Sequence, residues 1–405
     1  MYIERHASRL IIKGISQSKV ILVTGARQVG KTTVLQNTLD DWQYWTMDDE
    51  NQLRLAQADP VVFFKDKTFP YIIDEIQYVP DIFRTLKYHI DRQPGKGLVA
   101  LTGSSSYELM NSSSQSLAGR ISIIEMSGLS LRELAGDAEV MPFLPDSEFL
   151  ERRRALRVKP LPDLWERIVR GSMPELQDLS RDLEWFYRDY IRTYIERDVR
   201  KLMNVKDELK FRKFLASVAA RSARMISYNE IADDAGIDVK TVHAWLSILE
   251  GSGMVRMLQP YGGNILKRAL KTPKLFFMDT GLLCYLCGWK TPQTAEFGAQ
   301  NGAIFETFAV SEIIKSHLNA KGDASGIYYY RDKDKNEVDV VIEDGADIYL
   351  VEVKKSGTIK GDWTKGFSRF PAVDGKTVRG CAVVCRCDSI MRIDESAYAV
   401  PIEAV

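Results

Sequence analysis

The 405-residue sequence has no apolar run approaching the roughly 18–20 residues of a membrane-spanning helix. Its first residues, MYIERHASRLIIKG, carry charges where a secretory signal needs an apolar core. The expectation is therefore a cytoplasmic protein with no membrane segment. Neither charge is in excess, since 55 Lys and Arg stand against 55 Asp and Glu. This excludes a global basic field, so any contact with nucleic acid must come from local patches. Cysteine is scarce, at five residues. Cys284 and Cys287 lie in the apolar helical stretch GLLCYLCGW, and Cys381, Cys385 and Cys387 in the strand-like GCAVVCRC. Burial explains both clusters better than their loose spacing explains a zinc site. Internal repeats and low-complexity tracts are also missing.

What is present has the composition of a globular protein, 45% hydrophobic and 27% charged, and the length allows two to four domains. Strand patterns recur at KVILVTGA (19–26), YWTMD (44–48), PYIIDE (70–75), GLVALTG (97–103) and ISIIEM (121–126), with helical patterns between most of them. Strands alternating with helices predict an α/β fold with a mostly parallel, doubly wound sheet. From about residue 131 the pattern becomes helical and highly charged. A compact three-helix pattern with a hairpin follows near 205–265, and an α/β segment runs from about 271 to the end.

Residues 25–32 read GARQVGKT, a complete G-x-x-x-x-G-K-T directly after a strand and directly before a helix. In that context the backbone N–H groups of Gly25, Ala26, Arg27, Gln28, Val29 and Gly30 would wrap the phosphates of ATP, and the helix N-terminus adds its positive end. Lys31 would reach the β- and γ-phosphates, the Thr32 hydroxyl would ligate Mg²⁺, and Thr33 stands beside them. Some 43 residues downstream, YIIDE makes a buried strand whose end delivers Asp74, for Mg²⁺, and Glu75, for polarising the attacking water. The next strand ends LTGSSS, which places Thr102 and Ser104 where a polar side chain would sense the γ-phosphate. SLAGR presents Arg120 just before the fifth strand, either as a surface residue or as a finger reaching the nucleotide of a neighbouring subunit in a homo-oligomer.

Together GARQVGKT, IIDEIQ, LTGSSS and SLAGR resemble the prokaryotic AAA-type ATPases of the archaeal and STAND-related group. GSMPE (171–175), YIERDV (194–199) and TPKLFFMDTGLL (272–283) fit the same resemblance, which covers nearly the whole chain. It implies ATP binding and hydrolysis, and the domain order of a P-loop ATPase core (1–130), a helical lid (131–205), a winged helix (206–270) and a C-terminal domain (271–405).

Within the third segment, SYNEIADDAGIDVKTVHAWLSILEGSGMV has helix-turn-helix spacing, with a wing through VRMLQPYGGN. A reading helix would turn Lys240, Thr241 and His243 to the major groove. That is a thin basic complement with Asp233, Asp234 and Asp238 close by, so DNA contact and a protein-docking role remain alternatives.

Near the end, NEVDVVIEDGAD and LVEVKK form a hairpin pattern around DGAD turn chemistry. A four-residue loop pairs 343 with 348 and sets Asp339 opposite Glu352. A two-residue turn pairs 343 with 346 and leaves them diagonal. Both keep Asp339, Glu352 and Lys354 on one face. Two carboxylates and a lysine on a sheet face suit a hard cation and a water-activating amine. This D-x₁₂-E-x-K pattern resembles the PD-(D/E)XK nuclease superfamily, which implies a restriction-endonuclease-like α/β domain, Mg²⁺ or Mn²⁺ on Asp339 and Glu352, and Lys354 orienting the attacking water. Glu306, on the preceding helical stretch, matches the third carboxylate position. Arg331 and Lys365 are weaker candidates for phosphate contacts.

Overall fold

Strand β1, Val20–Gly25, is buried at every position, as a strand covered on both faces must be. With β2 (Gln43–Thr46), β3 (Tyr71–Asp74), β4 (Val99–Ser104) and β5 (Ile121–Glu125) it forms a five-stranded sheet in the order β2-β3-β4-β1-β5, with every pair parallel. The computed structural model describes residues 2–104, 117–156, 158, 161, 163–194, 208–262 and 272–405. It divides into two compact units, one of residues 1–142 with 251–254 and 317–323, the other of the remainder. In the first unit, helices Lys31–Thr38 and Ile82–Asp91 follow β1 and β3. Tyr71, Ile73, Val99 and Leu101 bury against Phe83, Leu86 and Ile90 in one apolar cluster. A parallel order with adjacent central strands brings the C-terminal ends of β1, β3 and β4 together, and that edge carries the first site.

The second unit begins with helices Ser147–Ala155, Leu164–Arg170 and Leu183–Tyr194. GSMPE and MDTGLL meet in it. The buried Asp279 carboxylate accepts from the Ser172 N–H and hydroxyl, the Tyr187 hydroxyl and the Leu282 N–H. A Cβ on Gly171 would lie 2.3 Å from that tyrosine oxygen, which explains the glycine. Beyond Tyr194, YIERDV lies outside the described residues. Helices Glu208–Ala219, Tyr228–Ala235 and Val239–Gly251 follow, with β6 (Arg224–Met225) between the first two and β7 (Val255–Leu258) and β8 (Lys274–Phe277) after the third, in an antiparallel sheet ordered β6-β8-β7. The end of the expected wing, from 263, is outside the described residues.

The helix Asn301–Lys321 precedes β9 (Ile327–Arg331), β10 (Glu337–Asp344) and β11 (Asp347–Lys354), an antiparallel meander. After the short helix Lys365–Ser368, β12 (Thr377–Cys385) returns parallel to β11. With β13 (Met391–Arg392) and β14 (Ala397–Pro401) the sheet order is β13-β14-β12-β11-β10-β9. All five cysteines are free thiols, and Cys284, Cys381, Cys385 and Cys387 are buried, as their apolar settings predict.

Candidate active sites

The phosphate loop is bounded by two glycines with positive φ. Gly25 has φ 141°, and a Cβ there would lie 1.9 Å from the Met126 carbonyl oxygen, so the loop can leave β1 only through a glycine. Gly30 (φ 92°) opens helix Lys31–Thr38, and the exposed Gln28 also holds a left-handed φ of 60°. Lys31 is buried, and its Nζ donates to the carbonyls of Gly25 (3.1 Å) and Ala26 (2.8 Å), curled over the loop it would serve.

Asp74 is the hub of the site. Its Oδ1 accepts from the Thr32 hydroxyl at 2.7 Å and from the Thr102 hydroxyl, and its Oδ2 from the Tyr44 hydroxyl at 2.8 Å. Burial and the neighbouring Asp74 charge hold the Tyr44 phenol well above its ordinary pKa, so it stays a donor. Thr102 is fully buried and does double duty, because its oxygen also accepts the Glu75 N–H at 3.1 Å. It links the two acidic residues rather than standing free to sense a phosphate. Glu75 has a left-handed φ of 57°, and its carboxylate accepts from Gln77. Ser104 pairs with Gly25 in the β1–β4 register, and its expected side-chain role lies outside the described residues. The half-buried Arg27 and the exposed Thr33 remain at the loop.

Sequence reasoning missed Tyr44, Gln77 and Arg5. Arg5 is buried, and its guanidinium donates to the Val29 carbonyl (2.6 Å), the Ser127 carbonyl (2.7 Å) and Glu133 Oε1 (2.9 Å). Because a trans peptide points its C=O and N–H in opposite directions, fixing the Val29 carbonyl also fixes the Gly30 N–H, on the far side from Arg5. Only the fold brings residue 5 to residue 29, so no local pattern signals it. Arg120 does not join this site. It precedes β5, its carbonyl accepts the Val20 N–H, and its guanidinium pairs with Asp91. That is the end of β1 opposite the loop.

The second site lies on the hairpin. Glu343 pairs with Ile348 and Val340 with Val351, the register of the four-residue alternative, but Asp344 also pairs with Asp347, so the loop itself is only residues 345–346. The next step of the register beyond Val340 sets Asp339 opposite Glu352. Asp339 Oδ2 accepts the Val353 N–H at 2.9 Å, so the aspartate side chain spans the two strands just beyond the Val340–Val351 pair. Lys354 pairs with Glu352, whose Oε2 is buried and has no hydrogen-bond partner among the described residues. Burial and the Asp339 charge push both Glu306 and Glu352 up to about 8.

The expected set of Glu306, Asp339 and Glu352 around a metal is not what the structure places here. Among the described residues no three His, Cys, Asp or Glu side chains are arranged to hold one metal ion. A lysine that sequence reasoning passed over stands among these carboxylates. Lys274 Nζ, from β8, lies 3.2 Å from Glu306 Oε1 and 3.7 Å from Asp339 Oδ1, and it also pairs with Glu337. Burial opposes its charge, but the three carboxylates prevail and hold its pKa above the ordinary value. Arg331 is engaged too, 3.2 Å from Glu337, while Lys365 opens its short helix in an exposed position. In the helix-turn-helix segment, Thr241 donates from its N–H and hydroxyl to Asp238, and His243 stacks on Tyr228 with centroids 3.9 Å apart.

Residues 17–135 match the family described as AAA domain. With the loop, the strand order and the Thr32–Asp74 contact in hand, that match decides the first unit. It carries an AAA-type P-loop ATPase domain. Residues 161–293 and 301–405 match two families each described as a domain of unknown function, DUF8612 and DUF4143. The chain is similar to uncharacterized proteins of Mycobacterium tuberculosis and Mycobacterium bovis, each 29% identical over 362 residues, or 88% of this chain and 75% of the relative. Among solved structures, a Walker-type ATPase of Pyrococcus abyssi is 16% identical, with 70% of this chain and 96% of that one covered and a TM-score of 0.42. A RuvB variant of Thermotoga maritima is 20% identical, with 62% and 85% covered and a TM-score of 0.28. A STAND protein with a tetratricopeptide repeat sensor from Pyrococcus horikoshii is 11% identical, with 79% and 48% covered and a TM-score of 0.26. The AAA assignment rests on the family match and the loop geometry. Among the described residues no helix is long and apolar enough to cross a membrane.

Proposed function

We propose that the chain hydrolyses ATP at its AAA domain and couples nucleotide state to a C-terminal nuclease-like domain that acts on nucleic acid, DNA first. The observation that carries the hydrolytic half is the Asp74 hub, which joins the loop hydroxyl of Thr32 to Thr102 and, through it, to the N–H of Glu75 just after β3. Thr32 and Asp74 are the residues that would hold Mg²⁺, a hard cation suited to a hydroxyl and a carboxylate. When bound, it would neutralise charge on the phosphates. Lys31 would exchange its two loop carbonyls for phosphate oxygens, and Glu75, oriented through its own N–H and Gln77, would take the proton of the attacking water. The test compares two variants. Lys31→Ala should lose nucleotide binding and turnover while keeping its melting temperature. Glu75→Gln should bind ATP and retain it unhydrolysed. Rapid turnover by Glu75→Gln would remove Glu75 as the base.

The nuclease-like half is supported by the register that faces Asp339 with Glu352 and by the order of helix, meander, helix and parallel strand from 301 to 385. The three helices and antiparallel sheet of 208–277 support a winged helix beside it. Cleavage of plasmid DNA that requires Mg²⁺ or Mn²⁺ and is lost in Asp339→Asn tests the reading. A second reading is a switch whose C-terminal domain binds DNA or a protein partner without cutting. The Lys274 contacts favour it, because they already spend the positive charge that the carboxylates accept. An absence of cleavage in the wild type, with DNA binding that depends on Lys354, would select the switch.

A further inference from the structure

Four carboxylates, those of Glu306, Glu337, Asp339 and Glu352, lie in contact with two lysines from different elements. Lys354 belongs to the hairpin that carries three of the acids, all but Glu306. Lys274 does not. It comes from β8, the middle strand of the small antiparallel sheet, and only 4% of its side chain is exposed. A buried ammonium is stabilised where carboxylates surround it, and a buried carboxylate cluster is stabilised where a cation or a bound proton offsets its charge. Each condition is met by the other here. Glu352 is the one left short, with Oε2 buried and without a hydrogen-bond partner among the described residues.

We infer that Lys274 is the resident cation of this centre and competes with a divalent metal for Glu306 and Asp339. The inference rests on the proposal that these carboxylates form a cation site, and it adds what controls that site. A metal ion entering beside an ammonium held 3.2–3.7 Å from the same oxygens meets direct repulsion, weakly screened because Lys274 is buried. Metal occupancy therefore requires Lys274 to withdraw, and Lys274 withdraws only if β8 or its own side chain moves. A single residue of the small sheet thus sets whether the hairpin carboxylates are available.

The test is Mn²⁺ binding to the full chain without nucleotide, followed by electron paramagnetic resonance of the free ion. Lys274→Met removes the charge. Lys274→Met with Glu337→Gln removes it while restoring the balance, which guards against loss of folding from an unpaired buried acid. Both should bind Mn²⁺ at least about tenfold more tightly than the wild type, by the loss of that repulsion. Adding Asp339→Asn should abolish the gain. Wild-type binding that depends on Asp339 and does not improve in either Lys274 variant would overturn the competition and leave the cation site standing. No Asp339-dependent binding in any of the proteins would remove the cation site itself, and the inference with it.

Discussion

At the scale of single residues, the instructive case is the pair Arg5–Glu133, buried on both sides and 2.9 Å apart. Burial works against the Glu133 charge, but the Arg5 charge and the Ser130 N–H hold its pKa below the ordinary 4.5. A depressed folded pKa contributes stability that is present above about pH 4.5 and lost as pH falls through the folded value. Arg5→Met reverses the sign. Without the Arg5 charge, burial opposes only the hydrogen bonds from His6 and Ser130 and should raise the Glu133 pKa, so the variant should lose stability as pH rises past the unfolded value. Breaking a buried pair from one side costs about 3–5 kcal/mol. Thermal melts at pH 5 and pH 7 check this, since the wild type should not weaken across that interval through this group while Arg5→Met should. The same substitution frees the Val29 carbonyl, so ATP affinity should fall as well. Arg5→Lys, which keeps the charge but loses the fork, separates the two effects. If Arg5→Lys binds ATP like the wild type, Arg5 supports the fold and not the loop.

At the scale of elements, much was legible because the signals are local. The glycines, lysine and threonine of GARQVGKT and the apolar run before Asp74 specify strand, loop and helix within a few residues, and the structure has them there. The hairpin faces were legible for the same reason, since side-chain alternation has a period of two. Its register was not, because DGAD fits two loop lengths and only packing of the strands decides between them. Contacts between distant segments left no trace in local pattern. Lys274 reads as one more charge at the start of TPKLFF, and Arg5 as one of several near the N-terminus. Tyr44 reads as a strand aromatic until β2 pairs with β3 and its hydroxyl reaches Asp74. Gly25 shows how sharply an element junction is constrained. Gly25→Ala must push a methyl group into the Met126 carbonyl, so either the loop or the segment after β5 shifts. Titration with a fluorescent ATP analogue should show weakened binding with the sheet intact by circular dichroism. Unchanged affinity would mean that the loop tolerates the shift.

At the scale of the whole molecule, the placement of Arg120 limits how the AAA domain can use it. The residue stands at the start of β5, level with Val20, whereas the phosphate loop leaves β1 at Gly25. Five residues of strand at about 3.3 Å each separate the two by roughly 16 Å, too far for an arginine to reach its own γ-phosphate. Its pairing with Asp91 is solvent-screened, with both side chains about a third exposed, and so presents little obstacle to re-pairing. If Arg120 acts in catalysis it acts in trans, on the nucleotide of another copy of the chain. We expect that it does. Turnover per subunit should then rise with protein concentration, and Arg120→Ala should remove that rise and fall by about 10³ from the assembled rate. Mixing Arg120→Ala with Lys31→Ala should restore part of the activity, because one supplies a working loop and the other a working finger. A rate per subunit that stays constant on dilution, and equal in wild type and Arg120→Ala, would assign the arginine to its pair with Asp91 alone.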